Sequence, residues 1–74
     1  MLFEKIKAII CDYFELSEDE VTPETTFAEI GADSLDMVDL AMSLEDDFGV
    51  EVTDETLESF VSVADVVSFI EETL

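Results

Sequence analysis

The chain has 74 residues, 49% of them apolar, with six phenylalanines, one cysteine and no histidine. Its 21 acidic residues against two lysines give a formal net charge of −19. That balance repels nucleic acid and anionic membranes and attracts basic protein patches; the cysteine and histidine counts exclude an intrachain disulfide and any Ser-His or Cys-His catalytic pair.

The length suits one domain, residues 1–74. Strong acidity can accompany disorder, but here the apolar residues are periodic, so a folded domain is expected. Leu2, Phe3, Ile6, Ile9, Ile10, Tyr13 and Phe14 recur at helical spacing and predict a first helix over residues 2–15. Glu4, Lys5, Lys7 and Asp12 interrupt this segment and no small-residue cleavage site follows, so it does not read as a secretory signal. No stretch is long enough to span a membrane. A lone cysteine without a redox or metal pattern suits a reducing compartment, and a cytoplasmic monomer is expected. Cys11 lies away from the centre of the apolar face and reads as a small, partly buried residue rather than a working thiol.

The segment "LSEDEVTPETTFAEIGAD" is polar and holds Pro23 and Gly31. It predicts a long loop pinned by Leu16, Val21, Phe27 and Ile30; loops of this length are often functional. A second helix should start near Asp33 or Ser34 and end before Gly49. At about 100° per residue it carries two apolar groups. Met37, Leu40, Ala41, Leu44 and Phe48 form a core face. Leu35, Val38 and Met42 lie roughly 130° away. The second group is either an extension of the core or a docking face rimmed by Asp36, Asp39, Glu45, Asp46 and Asp47, matched to an apolar pocket ringed by Lys and Arg.

"GVEVT" alternates but has no second strand to pair with, so an extended connector is expected. "DETLESF" after Thr53 predicts a short third helix, with Asp54 and Glu55 in its first turn. Ser62 and Asp65 form a capping-box pattern that opens a fourth helix running to about the C-terminus. Its Val63, Val66, Val67, Ile70 and Leu74 share a face. The expected fold class is all-α: a small four-helix bundle with three main helices and a short third one.

Few chemistries remain open. No Gly-rich phosphate cradle, zinc ligand set or EF-hand spacing is present, so no resident metal is expected. Paired carboxylates are abundant, but no apolar setting marks one as a general acid. Ser34 is the residue of interest. It reads equally as a helix N-cap or as an attachment point at a helix start, where Asp33 and Asp36 would repel a loosely bound phosphate but not a covalent ester.

At "GADSLDMVDLAMSLEDDFGVEV" the chain resembles the acyl carrier proteins of dissociated fatty-acid synthesis. The centre of the likeness is Asp33-Ser34-Leu35 within "GADSLD", and it extends over "TTFAEIGADSL", the apolar first helix and the valine-rich last one. The resemblance implies that Ser34 accepts 4′-phosphopantetheine from coenzyme A through a separate Mg²⁺-dependent phosphopantetheinyl transferase, and that Asp33 helps hold the metal during transfer. The arm's thiol would carry acyl chains as thioesters, which can fold back into the bundle. Leu35, Val38 and Met42 would be recognition positions for fatty-acid synthesis enzymes with basic docking patches, and Asp36, Asp39, Glu45 and Asp46 acidic contacts. Such a protein is a carrier, not an enzyme. The chain departs from the family pattern in "CDYFELSEDEV", where a Gly-containing turn is usual, at Thr53, where proline is common, and at Met37, which replaces a small polar residue. A carrier for polyketide or another specialised pathway is the neighbouring alternative. An acidic interaction or decoy protein without a prosthetic group is the alternative from another class.

Overall fold

The apolar period of the first segment becomes α1 (Leu2–Phe14), whose Ile6 and Ile10 are fully buried. A computed structural model describes residues 2–74. The other elements are a 3₁₀ turn (Glu18–Glu20), α2 (Ser34–Phe48), the short α3 (Asp54–Glu58) and α4 (Val63–Thr73). The predicted four-helix, all-α architecture is present, and no strand forms among the described residues. Helix α1 packs against α4 and α2, and α2 meets α3. The core unites Ile6, Ile10, Leu40, Leu44, Phe60, Val63, Val66 and Ile70 with Val21 and Phe27 from the long loop.

Each helix ends where its local chemistry stops it. α1 closes one residue earlier than predicted because Glu15 adopts left-handed geometry at φ 57°. Leu16 N–H then donates to the Cys11 carbonyl at 2.9 Å, satisfying one of the last free carbonyls of the helix. The turn carries the chain back over Cys11. That residue is therefore buried at the edge of the core, 9% exposed, with Sγ 3.7 Å from the Ser17 carbonyl. Burial, reinforced by Glu18, pushes the thiol above its ordinary pKa, which makes it a poor nucleophile. α2 ends at Gly49, which takes φ 66° and donates its N–H to the Glu45 carbonyl at 2.9 Å. α3 spans five residues, shorter than "DETLESF" suggested: Ser59 N–H turns back to the Thr56 carbonyl. In α4, Val63, Val66 and Ile70 are fully buried, but Leu74 lies beyond the last turn and is exposed.

The long loop has more structure than its composition suggested. Ser17 N–H donates to the Glu20 carboxylate at 2.8 Å, opening the 3₁₀ turn. Buried Thr25 accepts from Thr22 N–H at 2.9 Å, so its hydroxyl is satisfied. An isolated bridge joins Thr26 to Ser62. Around it, Phe27 N–H donates to the Val61 carbonyl, and Val63 and Ala64 N–H donate to the Thr25 and Pro23 carbonyls, all within 3.0 Å. Loop carbonyls thus take up two amides that the start of α4 would otherwise leave unpaired. This anchorage fixes the loop that delivers the chain to Asp33.

Candidate functional site

The loop enters α2 through a tight turn. Gly31 N–H donates to the Ala28 carbonyl and Ala32 N–H to the Phe27 carbonyl. Gly31 makes the turn at φ 75°, a region glycine enters without steric cost. The helix cap is Asp33, not Ser34. Asp33 Oδ1 accepts from Asp36 N–H at 2.9 Å, and Asp36 Oδ2 accepts from Asp33 N–H at 3.2 Å, a reciprocal capping box. Ser34 is therefore the first residue inside the helix, exposed, with its hydroxyl not needed for capping.

Ser34 stands at the rim of an open groove of about 410 Å³. Phe27, Ala32, Met37, Val38, Leu57 and Phe60 give it an apolar wall, and Asp33 and Glu58 are its acidic members. The groove is lined by residues of the loop, the start of α2 and α3, with Ser34 among them. Met37, assigned to the core face from sequence, is half-buried and lines it. A wider depression of about 680 Å³, lined by Ala8, Ile9, Cys11 and Leu16, adjoins none of the residues expected at the site.

The second apolar group of α2 stays in water. Leu35 is 73% exposed, Met42 61% and Val38 44%, while Leu40 and Leu44 on the core face are fully buried. Complete burial of such a side chain stabilises by about 1.5–3 kcal/mol, so the fold forgoes more than half of that contribution at Leu35 and Met42 and less than half at Val38. The reading of this group as core is excluded, and the group begins one residue from Ser34.

The acids around it differ in their commitments. Asp46 is exposed; Glu45 is half-buried, and its Oε2 accepts from Val52 N–H at 2.9 Å, tying α2 to the connector before α3. Asp36 and Asp39 receive a partner that sequence reasoning did not foresee. Tyr13 Oη on α1 lies 2.7 Å from Asp39 Oδ2 and 3.2 Å from Asp36 Oδ1 and donates to them. Tyr13, counted above with the apolar face of α1, is 38% exposed. Its hydrogen bonds to Asp39 and Asp36 hold the phenol well above its ordinary pKa. The available signal was the residue type: a tyrosine at the edge of an apolar face buries its ring and sends its hydroxyl to a polar neighbour. Among the described residues, no group of three or more Cys, Asp or Glu side chains is arranged to hold a metal ion. No described helix is long and apolar enough to cross a membrane.

Comparison with known proteins gives this geometry its context. The family model for the phosphopantetheine attachment site matches residues 4–70. The acyl carrier protein of Helicobacter pylori (strain G27) is 50% identical over 72 residues, covering 96% of this chain and 92% of that protein. The acyl carrier protein of Clostridium perfringens (strain SM101 / Type A) is 49% identical over 72 residues, covering 96% and 95%. With likeness running almost from end to end on a helical bundle, the chain belongs to the acyl carrier proteins, a phosphopantetheine-bearing family of carriers rather than enzymes.

Proposed function

We propose that this protein carries acyl chains for fatty-acid synthesis as thioesters on a 4′-phosphopantetheine arm esterified to Ser34. The observation that carries the assignment is the division of labour at the start of α2: Asp33 makes the cap, which leaves the adjacent Ser34 hydroxyl exposed and available. A phosphate ester fits this position, since forming it displaces no capping bond. In the transfer, Ser34 Oγ forms a new bond to the pantetheine-side phosphorus of coenzyme A. The bond to the other phosphate breaks, the adenosine bisphosphate half leaves, and the serine proton passes to a base of the transferase. Asp33 uses one lone pair in its cap, and a carboxylate has others with which to meet the transferase's Mg²⁺. When bound, the arm supplies the thiol, a role for which buried Cys11 is unsuited.

The groove beside Ser34 offers an apolar path for an acyl chain. Leu35, Val38 and Met42 offer a docking stripe, with Asp36, Asp39, Glu45 and Asp46 as acidic contacts for basic patches on the transferase and the synthesis enzymes. Modest apolar area within a strong acidic field favours fast, brief encounters, which suits a carrier visiting many enzymes in turn.

The test is to incubate the apo-protein with coenzyme A, Mg²⁺ and a broad-specificity phosphopantetheinyl transferase and to measure intact mass. The wild-type chain should gain one phosphopantetheine and Ser34→Ala none. Because Asp33 holds the cap, Ser34→Ala should alter folding stability by less than about 0.5 kcal/mol. A folded wild-type protein that gains no mass would refute the assignment.

A further inference from the structure

We infer that Tyr13 is a positioning residue for docking: from α1, outside the docking helix, it locks the carboxylates of Asp36 and Asp39 into the arrangement that meets the basic groups of partner enzymes. This rests on the proposed use of α2 as the docking face.

Asp36 and Asp39 are three residues apart on one helix, so they are neighbours of like charge on the same surface. Left alone, the two carboxylates repel and sample several rotamers. Here both are held. Asp36 accepts from Asp33 N–H at 3.2 Å on Oδ2, and its Oδ1, 3.2 Å from Tyr13 Oη, takes the longer arm of the bond from that hydroxyl's single proton. Asp39 receives the shorter bond, 2.7 Å to Tyr13 Oη. One phenolic proton placed between two carboxylates offsets their repulsion and sets their spacing. An ionised carboxylate has about four acceptor sites, so these bonds leave lone pairs for a partner's Lys or Arg. The phenol is neutral, so it adds order without subtracting from the acidic field that steers encounters. Ordering side chains before binding removes a cost of about 0.5–1.5 kcal/mol for each one, equivalent to a gain of about two- to tenfold in affinity.

The test uses transferase kinetics at saturating coenzyme A with the apo-protein as varied substrate. Tyr13→Phe keeps the ring and removes the hydroxyl. It should raise KM about threefold or more and leave kcat unchanged. Asp36→Asn/Asp39→Asn keeps acceptors for the cap and removes the charges, and it should raise KM further. In that background Tyr13→Phe should add nothing, because no charges remain to position. A residue that merely staples α1 to α2 would move the urea midpoint while leaving KM alone, or would raise KM equally in both backgrounds; either result overturns the inference. If the Asn pair does not change KM, the docking reading itself fails and takes this inference with it. If the Asn pair raises KM but Tyr13→Phe does not, the docking reading stands and this inference falls. Tyr13 is the chain's single tyrosine, so an alkaline absorbance titration reads its contact in solution. Ionisation should come well above the ordinary value of about 10 in the wild type and move back toward it in the Asn pair; ordinary titration in the wild type also overturns the inference.

Discussion

Glu15 shows how one backbone conformation sets a local energy. It is the one non-glycine residue with positive φ among those described. An L side chain in the left-handed region costs roughly 1–2 kcal/mol, part of which glycine would return as unfolded-chain entropy of about 0.5–1 kcal/mol. Glu15→Gly is therefore expected to stabilise the protein by about 0.5–1 kcal/mol in urea unfolding. Glu15→Ala separates backbone from charge, since it removes the carboxylate and keeps the β-carbon; an equal gain from Ala would assign the effect to charge. The sequence bears on this turn only through the family resemblance, which implies a Gly-containing turn within "CDYFELSEDEV". Tyr13 and Cys11 were less legible for a common reason. Helical period assigns faces within one helix, and both residues are defined by chain that returns from elsewhere. Tyr13 is set by carboxylates 23 and 26 residues further on, and Cys11 by the turn that brings Ser17 over it.

Element boundaries were legible wherever a side chain makes the boundary. Gly49 ends α2, Thr53 caps α3 and the Ser62–Asp65 box opens α4, each at or near its predicted position. The start of α2 was ambiguous because Asp33 and Ser34 are both good caps; the geometry selects Asp33, and that choice leaves the serine available. The contacts between loop and α4 could not be read, because backbone pairing leaves no residue signature. At α4, Asp65 Oδ2 accepts from Val61 N–H at 2.9 Å and Ser62 N–H at 3.0 Å. The bond from Ser62, then that from Val61, holds the Asp65 carboxyl below its ordinary pKa. Asp65→Ala should cost about 1 kcal/mol at neutral pH. A carboxyl with a lowered folded pKa stabilises above its unfolded value and loses that contribution as pH falls through the folded value. The stability difference between wild type and Asp65→Ala should therefore hold constant down to about pH 3.9 and shrink below it. A difference that grows on acidification would contradict this role.

At the scale of the molecule, charge opposes a small core. Two lysines cannot pair with 21 acids, and the molecule measures 27 × 27 × 19 Å. At an ionic strength of about 0.01 M the screening length is roughly 30 Å, so nearly every carboxylate feels every other; at about 0.15 M it falls to roughly 8 Å. Thermal unfolding should move upward between these conditions, and each 1 kcal/mol recovered is worth about 4–8 °C at this size. An unchanged midpoint would mean that self-repulsion does not limit stability. The same field, with Leu35, Val38 and Met42 kept in water, suits a carrier whose fold supplies a surface and an attachment point and leaves the reactions to its partners. The assignment of that point is tested most directly by fragmenting the transferase-treated protein and locating the added mass along the chain. All of the phosphopantetheine should fall on the peptide containing Ser34, with none on Ser17, Ser43, Ser59, Ser62 or Ser68; mass found on any other residue would contradict the account.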